Sequence, residues 1–329
     1  MKKYFLPIAC LLVILQLLLY RSNRSHVINA IKTSNLTYLM MSFEDFNQNS
    51  TVLCSENTLR QQYDQEFNQL QSFQLNQVYE LSEIRPQLPY FYSLWKTSSL
   101  LPRLMTPCEH RTYIELLIAF DRICRIHQIE YLISHGTLLG SYRNHDILPY
   151  DDDVDILIHQ KYYSHLSTLN QTEWKFHLQT SINMKFFFRN SPSAGRYPWK
   201  WPFIGIQFYT DNSTHIYLNQ HIPKNLIFPL ILRPISTLWL PTPRYVHAYL
   251  RSLQKDYFIN YPIDKKCMMK NYSHRNEKHL SKSKIVDCEQ LYNIYPFIRR
   301  ICDETHCYEY LMINTCMTLY ILKTEKNRY

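Results

Sequence analysis

Acidic side chains alternate through the run Asp151-Asp152-Asp153-Val154-Asp155. In an extended strand, residues two apart share a face. Asp151, Asp153 and Asp155 are therefore expected on one side and Val154, Ile156 and Ile158 on the other, toward a core. Stacked carboxylates repel and raise one another's pKa, and a cation relieves this. Hard oxygen donors suit Mg²⁺ or Mn²⁺ held together with substrate phosphates, so the three aspartates are the expected metal ligands. The plainer alternative is a solvated acidic turn, against which the apolar run that follows argues.

A second feature precedes the aspartates. Gly136-Thr137 follows one predicted strand and opens a predicted helix. Such a start offers backbone N–H groups, a hydroxyl and the positive end of a helix dipole to a phosphate. Gly136 lets backbone approach a ligand closely. Gly140 lies one turn on, and Arg143 follows as a residue able to clamp a phosphate with two N–H groups. Phosphate at a helix start and metal at the next strand is the layout a nucleotidyl or phosphoryl transferase needs.

The elements that position these groups are legible from periodicity. Residues 109–128 carry Ile114, Leu117, Ile118, Ile123 and Ile126 at helical spacing. Residues 129–134 read as a strand, 135–146 as a turn opening a helix, and 151–159 as a second strand. Residues 199–210 read as a third, with Ile204, Ile206 and Phe208 alternating. Residues 245–257 read as a helix. Mixed helices and strands predict an α/β or α+β domain over 107–329.

The stretch Tyr131–His159 resembles the LicD/fukutin family of nucleotidyltransferase-like phosphotransferases. The likeness rests on HGTLLGSYR, Asp146, Pro149 and DDDVD. It extends more loosely through PWKWPFIGIQFY (Pro198–Tyr209), Ser213–Tyr217, Leu238–Arg244 and YSHRNE (Tyr272–Glu277). The resemblance implies a nucleotidyltransferase-like mixed sheet with flanking helices. It also implies transfer of a phospho-alcohol, such as phosphocholine or ribitol phosphate, from a CDP-linked donor to a glycan. On this resemblance Asp153 and Asp155 are the catalytic, metal-binding pair, with Asp151 assisting. One departure stands out. The family places a further carboxylate on the strand where this chain has Gly205, in WPFIGIQ, and Gln207 on the same face is neutral. Asp151, or Asp211 at the strand's end, are the candidates to compensate. A catalytically impaired, membrane-anchored binding partner is the alternative. A metal-dependent glycosyltransferase using Asp-x-Asp is another, but it has no need of the Gly-Thr helix start.

Other residues have plainer readings beside functional ones. His274 and Arg275 are donor-phosphate contacts or a surface loop. Trp199 and Trp201 fit core packing better than stacking, and Lys200 between them is a weaker phosphate contact. His135 lies near the site without being assigned as a base.

Composition narrows the class. Only four glycines occur in 329 residues, which leaves no dinucleotide-binding GxGxxG and no Walker loop. The net charge is +9. It suits an anionic partner, but without a dense basic run interleaved with aromatics it gives no case for nucleic acid. Residues 1–3 carry two lysines, and residues 4–20 are apolar apart from Gln16. No small-residue cleavage site follows, so a type II signal anchor is expected, with the bulk of the chain in the Golgi or ER lumen. Residues 21–106 read as stem and linker. A helical stripe at 57–77 (Leu59, Tyr63, Phe67, Leu70, Phe73) offers a route to a homo-oligomer or simply packs on the domain. Acceptor triplets for N-glycosylation occur at Asn23, Asn35, Asn49, Asn170, Asn212 and Asn271. Outside the apolar segment the cysteines number eight, which suits disulfides in an oxidising compartment. Cys302, His306 and Cys307 form half a zinc motif, for which a short disulfide loop or unpaired structural cysteines are the stronger readings.

Overall fold

Thr106 begins the first helix through a capping box. Its hydroxyl accepts from the Glu109 N–H, and the Glu109 carboxylate accepts from the Thr106 N–H at 2.7 Å. The helix, α1 (Pro107–Ile126), buries Tyr113, Leu116, Leu117 and Phe120. The computed structural model describes residues 77–80, 88, 96–218, 220–253, 263, 265–280 and 282–325. All of them fall within one compact unit, Cys54–Tyr329. The anchor expected at 4–20 lies outside the described residues, as does the helical stripe expected at 57–77 except for Gln77, which opens a strand. Among the described residues no helix is long and apolar enough to cross a membrane.

The main sheet contains β2 (Tyr131–Ile133), β3 (Val154–His159), β4 (Trp174–Thr180), β5 (Asn183–Phe188) and β6 (Ile204–Asp211). Their order is β2-β3-β6-β5-β4. Strands β3 and β6 are parallel; the other pairs are antiparallel. Short strands β7 (His215–Tyr217) and β8 (His221–Pro223) extend from β6. One face packs under α1. There Phe120 meets Tyr131 edge-on at 5.2 Å and Phe186 at 5.6 Å. Val154, Ile156 and Ile158, expected to face a core, are fully buried.

Helix α2 (His135–Asn144) follows β2 directly. Beyond the sheet come β9 (Ile231–Ile235), β10 (Leu238–Thr242) and a short helix (Val246–Ser252). Two hairpins then form. Strand β11 (Lys266–Met269) pairs with β14 (Lys284–Asp287), and β12 (Tyr272–Ser273) with β13 (Lys278–His279). A second sheet joins β1 (Gln77–Glu80), β15 (Phe297–Cys302), β16 (His306–Met312) and β17 (Thr318–Glu325) in the order β1-β17-β16-β15. Leu88 packs with Leu311, Leu319, Tyr320 and Leu322 beneath it. Gln77–Glu80 and Leu88, in the stretch read as stem and linker, thus pack with this sheet. Backbone pairing of β1 with a strand from the far end of the chain has no local signal.

A buried charge network ties this sheet to α2. The Glu309 carboxylate, fully buried, accepts from Arg233 Nη2 at 2.8 Å and Arg300 Nε at 2.8 Å, and lies 2.8 Å from His145 Nε2. The two arginines hold it well below the usual carboxylate range despite burial. Disulfides link Cys267 to Cys288 and Cys302 to Cys307. The latter is the short loop preferred over zinc. Cys108 is also disulfide-bonded.

Candidate functional site

The expected strand over 151–159 begins at Val154, so Asp151, Asp152 and Asp153 form the loop that enters it. This loop is held rigidly from below. The Asp152 carbonyl accepts from Tyr113 Oη at 2.8 Å and from Trp201 Nε1 at 2.9 Å. Trp201 is thus a core residue with a positioning duty. The Asp152 carboxylate turns away from the cleft. It accepts from Ser273 Oγ at 3.1 Å and from the N–H groups of His274 and Arg275, each at 3.2 Å. One aspartate therefore docks the YSHR segment, and the other three act on one another as a cluster, called the cleft below.

Asp151 and Asp153 are 6% and 5% exposed, and Asp155 is half-buried. Asp151 lies over the start of α2: a Cβ on Gly136 would stand 2.4 Å from its Oδ2. Only glycine leaves room for that carboxylate at the helix N-terminus. His135 enters the helix with φ 47°, a left-handed conformation unusual for a non-glycine residue and a small store of strain beside the site. Ser134 gives α2 no side-chain cap; its hydroxyl instead meets Tyr249 Oη at 2.9 Å. Thr137 Oγ1 accepts from the Asp155 N–H at 2.7 Å, pinning the helix start to the strand that carries the third aspartate.

Two cations of the chain itself enter the cleft. Lys270 Nζ lies 3.7 Å from Asp151 Oδ2 and 3.6 Å from Asp153 Oδ1. His274 Nε2 lies 3.0 Å from Asp153 Oδ2. Burial pulls the imidazole down, but the Asp153 carboxylate outweighs this and raises it to about 9. Burial pushes Asp153 up, and Lys270 and His274 outweigh that, holding it well below the usual range. Asp151 is raised by burial and then by Asp153; Asp155 is raised by the same two causes. Asp153 is thus the ionised anchor of the group, and its two neighbours hold protons more readily.

Whether these residues suit a divalent ion can be judged from the donors. Among the described residues no set of three His, Cys, Asp or Glu side chains is arranged as a metal cage. Asp153 Oδ1 is nevertheless buried with no hydrogen-bond partner, facing the Lys270 ammonium at 3.6 Å as an ion pair only. Hard carboxylate oxygens in an incomplete set fit one ion that also takes ligands from a phosphate substrate.

The remaining expected residues divide. Gly136 and Thr137 stand at the cleft. Arg143 does not. It lies seven residues along α2, about 10 Å from the helix start. Its guanidinium is buried and donates to the carbonyls of Lys266, at 2.8 Å, and Ile263. It borders a separate cavity walled by Tyr142, Tyr150 and Tyr295. Gly140 is a packing position: a Cβ there would meet Asp146 O at 2.3 Å and Leu148 N at 2.9 Å. Asp211 cannot replace a carboxylate at Gly205, being six residues and about 20 Å along β6. It pairs instead with Lys224 and, at 2.9 Å, with His159. Gly205 pairs with Asp155 on one side and Lys185 on the other, a row across the face opposite α1. A Cβ there would lie 3.4 Å from Asp155 Oδ1, so a side chain is sterically admissible. Lys200 reaches Ser193 Oγ at 3.0 Å. Arg275 donates to Leu104 O at 2.7 Å and to Glu109, tying its segment to α1.

Sequence reasoning passed over Lys270 and Lys185. Lys185 Nζ lies 3.6 Å over the Phe203 ring and 3.9 Å from Glu277, which also accepts from Trp199 Nε1 at 2.9 Å. The YSHRNE block was the available signal for Lys270, two residues upstream of it.

Residues 128–245 match the family described as LicD/FKTN/FKRP, nucleotidyltransferase domain. That span contains α2, all three cleft aspartates and Gly205, and stops short of Lys270 and His274. A lipopolysaccharide cholinephosphotransferase, LicD of Haemophilus influenzae, is 34% identical over 50 residues, 15% of this chain. The matched stretch spans about a fifth (19%) of that relative's length.

Proposed function

We propose that this protein is a phosphotransferase. In this reading it takes a phospho-alcohol, of the phosphocholine or ribitol-phosphate kind, from a CDP-linked donor and passes it to a glycan or glycoprotein. The observation that carries the reading is the acidic cluster itself: buried Asp151 and Asp153 with Asp155, set against a helix start where Gly136 leaves room for the Asp151 carboxylate. The similarity to a cholinephosphotransferase supports the same class of reaction.

Asp153 and Asp155, with Asp151, would hold Mg²⁺ or Mn²⁺. When bound, the ion supplies charge to neutralise phosphate oxygens and to steady a leaving nucleotide phosphate. The chain's own residues do the rest. The first N–H groups of α2 have no partner four residues back and would receive a phosphate once the Asp151 carboxylate beside them gives way. Lys270 and protonated His274 add positive charge where a diphosphate's charge would gather. Thr137 keeps helix and strand in register, and Asp152 fixes the segment that brings His274.

The full chain, solubilised in detergent, should bind CDP only with Mn²⁺ or Mg²⁺. Asp153→Asn and Asp155→Asn should each abolish that binding with thermal unfolding retained. Metal-independent CDP binding of equal strength would end this reading. Gly205 favours a second one, a binder that holds donor or glycan without transfer. Gain of transfer in Gly205→Asp would mark the natural chain as impaired.

A Golgi or ER setting, with the domain lumenal on a type II anchor, accompanies the proposal. Its support is the disulfides and the exposure of Asn170, Asn212 and Asn271. Unchanged electrophoretic mobility after glycosidase treatment of cell-expressed protein would count against it.

A further inference from the structure

The cleft is unevenly neutralised. On one side, Asp153 has a cation at each oxygen: Lys270 at 3.6 Å from Oδ1 and His274 at 3.0 Å from Oδ2. Lys270 also reaches Asp151 at 3.7 Å, so a single ammonium stands between two carboxylates. On the other side, Asp155 has no cation within 4 Å among the described residues; His135 and, beyond Gly205, Lys185 act on it from farther away. Its neighbour across the sheet is Gly205, which brings no charge. A second divalent ion therefore lacks a carboxylate beside Asp155 and meets an ammonium between Asp151 and Asp153.

Lys270 is not a loose surface lysine swept into the cleft. It follows β11 directly and precedes β12, which ends at Ser273, hydrogen-bonded to Asp152. Strand β11 is fastened to its hairpin by the Cys267–Cys288 disulfide and by Lys266–Asp287 at 2.6 Å. It is fastened to α2 by Arg143, which donates to the Lys266 carbonyl. The backbone on both sides of Lys270 is thus anchored. Its ammonium is also within ordinary contact, 3.7 Å, of a Cβ position on Gly136.

We propose that Lys270 is the fixed monovalent counter-charge of this centre, taking the place of one divalent ion between Asp151 and Asp153 and limiting the cleft to a single Mg²⁺ or Mn²⁺ held by Asp153 and Asp155. The inference rests on the metal-binding reading above and deepens it. An ammonium supplies charge but no open coordination position, so it can neutralise a diphosphate without gripping it as a metal does. Lys270 is a positioning residue for the acidic pair and the donor's charge.

Mn²⁺ binding to the detergent-solubilised full chain, counted by electron paramagnetic resonance of free Mn²⁺, tests this directly and does not depend on turnover. Wild type should take one ion per chain. Lys270→Met should take a second ion, or hold the first roughly tenfold or more tighter, the scale on which a neighbouring unit charge alters proton binding. Lys270→Arg keeps the charge and should behave as wild type. Two ions in the wild-type chain would overturn the assignment, and that count stands even should the Met variant fail to fold. Unchanged count and affinity in a folded Lys270→Met chain would overturn it too. A chain that takes one Mn²⁺ with this Lys270 dependence but no CDP would uphold the assignment and defeat the donor reading.

Discussion

Replacing Gly136 by alanine separates the demands of the fold from those of the cleft. The new methyl would sit 2.4 Å from Asp151 Oδ2, where ordinary contact begins at 3.4 Å, so the carboxylate must retreat by about 1 Å. That retreat lengthens the 3.7 Å approach to Lys270. At an effective dielectric near 20, the loss is at most about 1 kcal/mol, and less here because the Lys270 side chain is 40% exposed. Against it stands alanine's advantage over glycine in a helix, up to about 1 kcal/mol and smaller in the first turn. The two nearly cancel, and the melting temperature should move by no more than about 4 °C. Function should not be spared. A displacement of about 1 Å in a binding constellation can cost on the order of a hundredfold. Thermal unfolding and Mn²⁺-dependent CDP binding of the same preparation are the measurements. CDP binding within about threefold of wild type would refute the placement of Asp151 at the helix start as a functional necessity. A drop in melting temperature of more than about 10 °C would show that Gly136 serves the fold instead.

Glu309→Gln should destabilise strongly by leaving Arg233 and Arg300 without their buried counter-charge. A loss of about 3 kcal/mol, at 2–4 °C per kcal/mol for a unit of this size, lowers the melting temperature by roughly 6–12 °C. Gly140→Ala drives a methyl into backbone atoms that cannot swing aside, at 2.3 Å from Asp146 O. It should cost about 3 kcal/mol or more and reduce the yield of folded protein, unlike the same change at Gly136. The His274 imidazole, at about 9 in the folded chain, lies above its ordinary value of 6.5. Its ion pair with Asp153 therefore stabilises fully below pH 6.5 and fades as pH rises through 9. The melting-temperature difference between wild type and His274→Gln should be largest below pH 6.5 and vanish above 9; a difference constant across that range would contradict the pairing.

Taken alone, the sequence determined those parts of this protein that depend on near neighbours. Periodicity of two and of 3.6 is a local signal, and it places α1, β2, α2, β3 and β6 within a few residues. Gly136-Thr137 and the alternating aspartates lie close in the chain, so a strand, a turn and a helix suffice to bring them together. The same locality misled at Arg143, because being near Gly136 in sequence still leaves it at the opposite end of the helix. It also hid that Asp151 and Asp153 precede β3 rather than ride on it. Only tertiary structure decided which charges meet the acids. Lys270 and His274 arrive from more than a hundred residues away, on hairpins fixed by a disulfide and by Asp152, and β1 finds its partner at the other end of the chain. Such pairings follow from how whole elements pack, and a side chain's neighbours across that packing leave no trace in its own flanking residues.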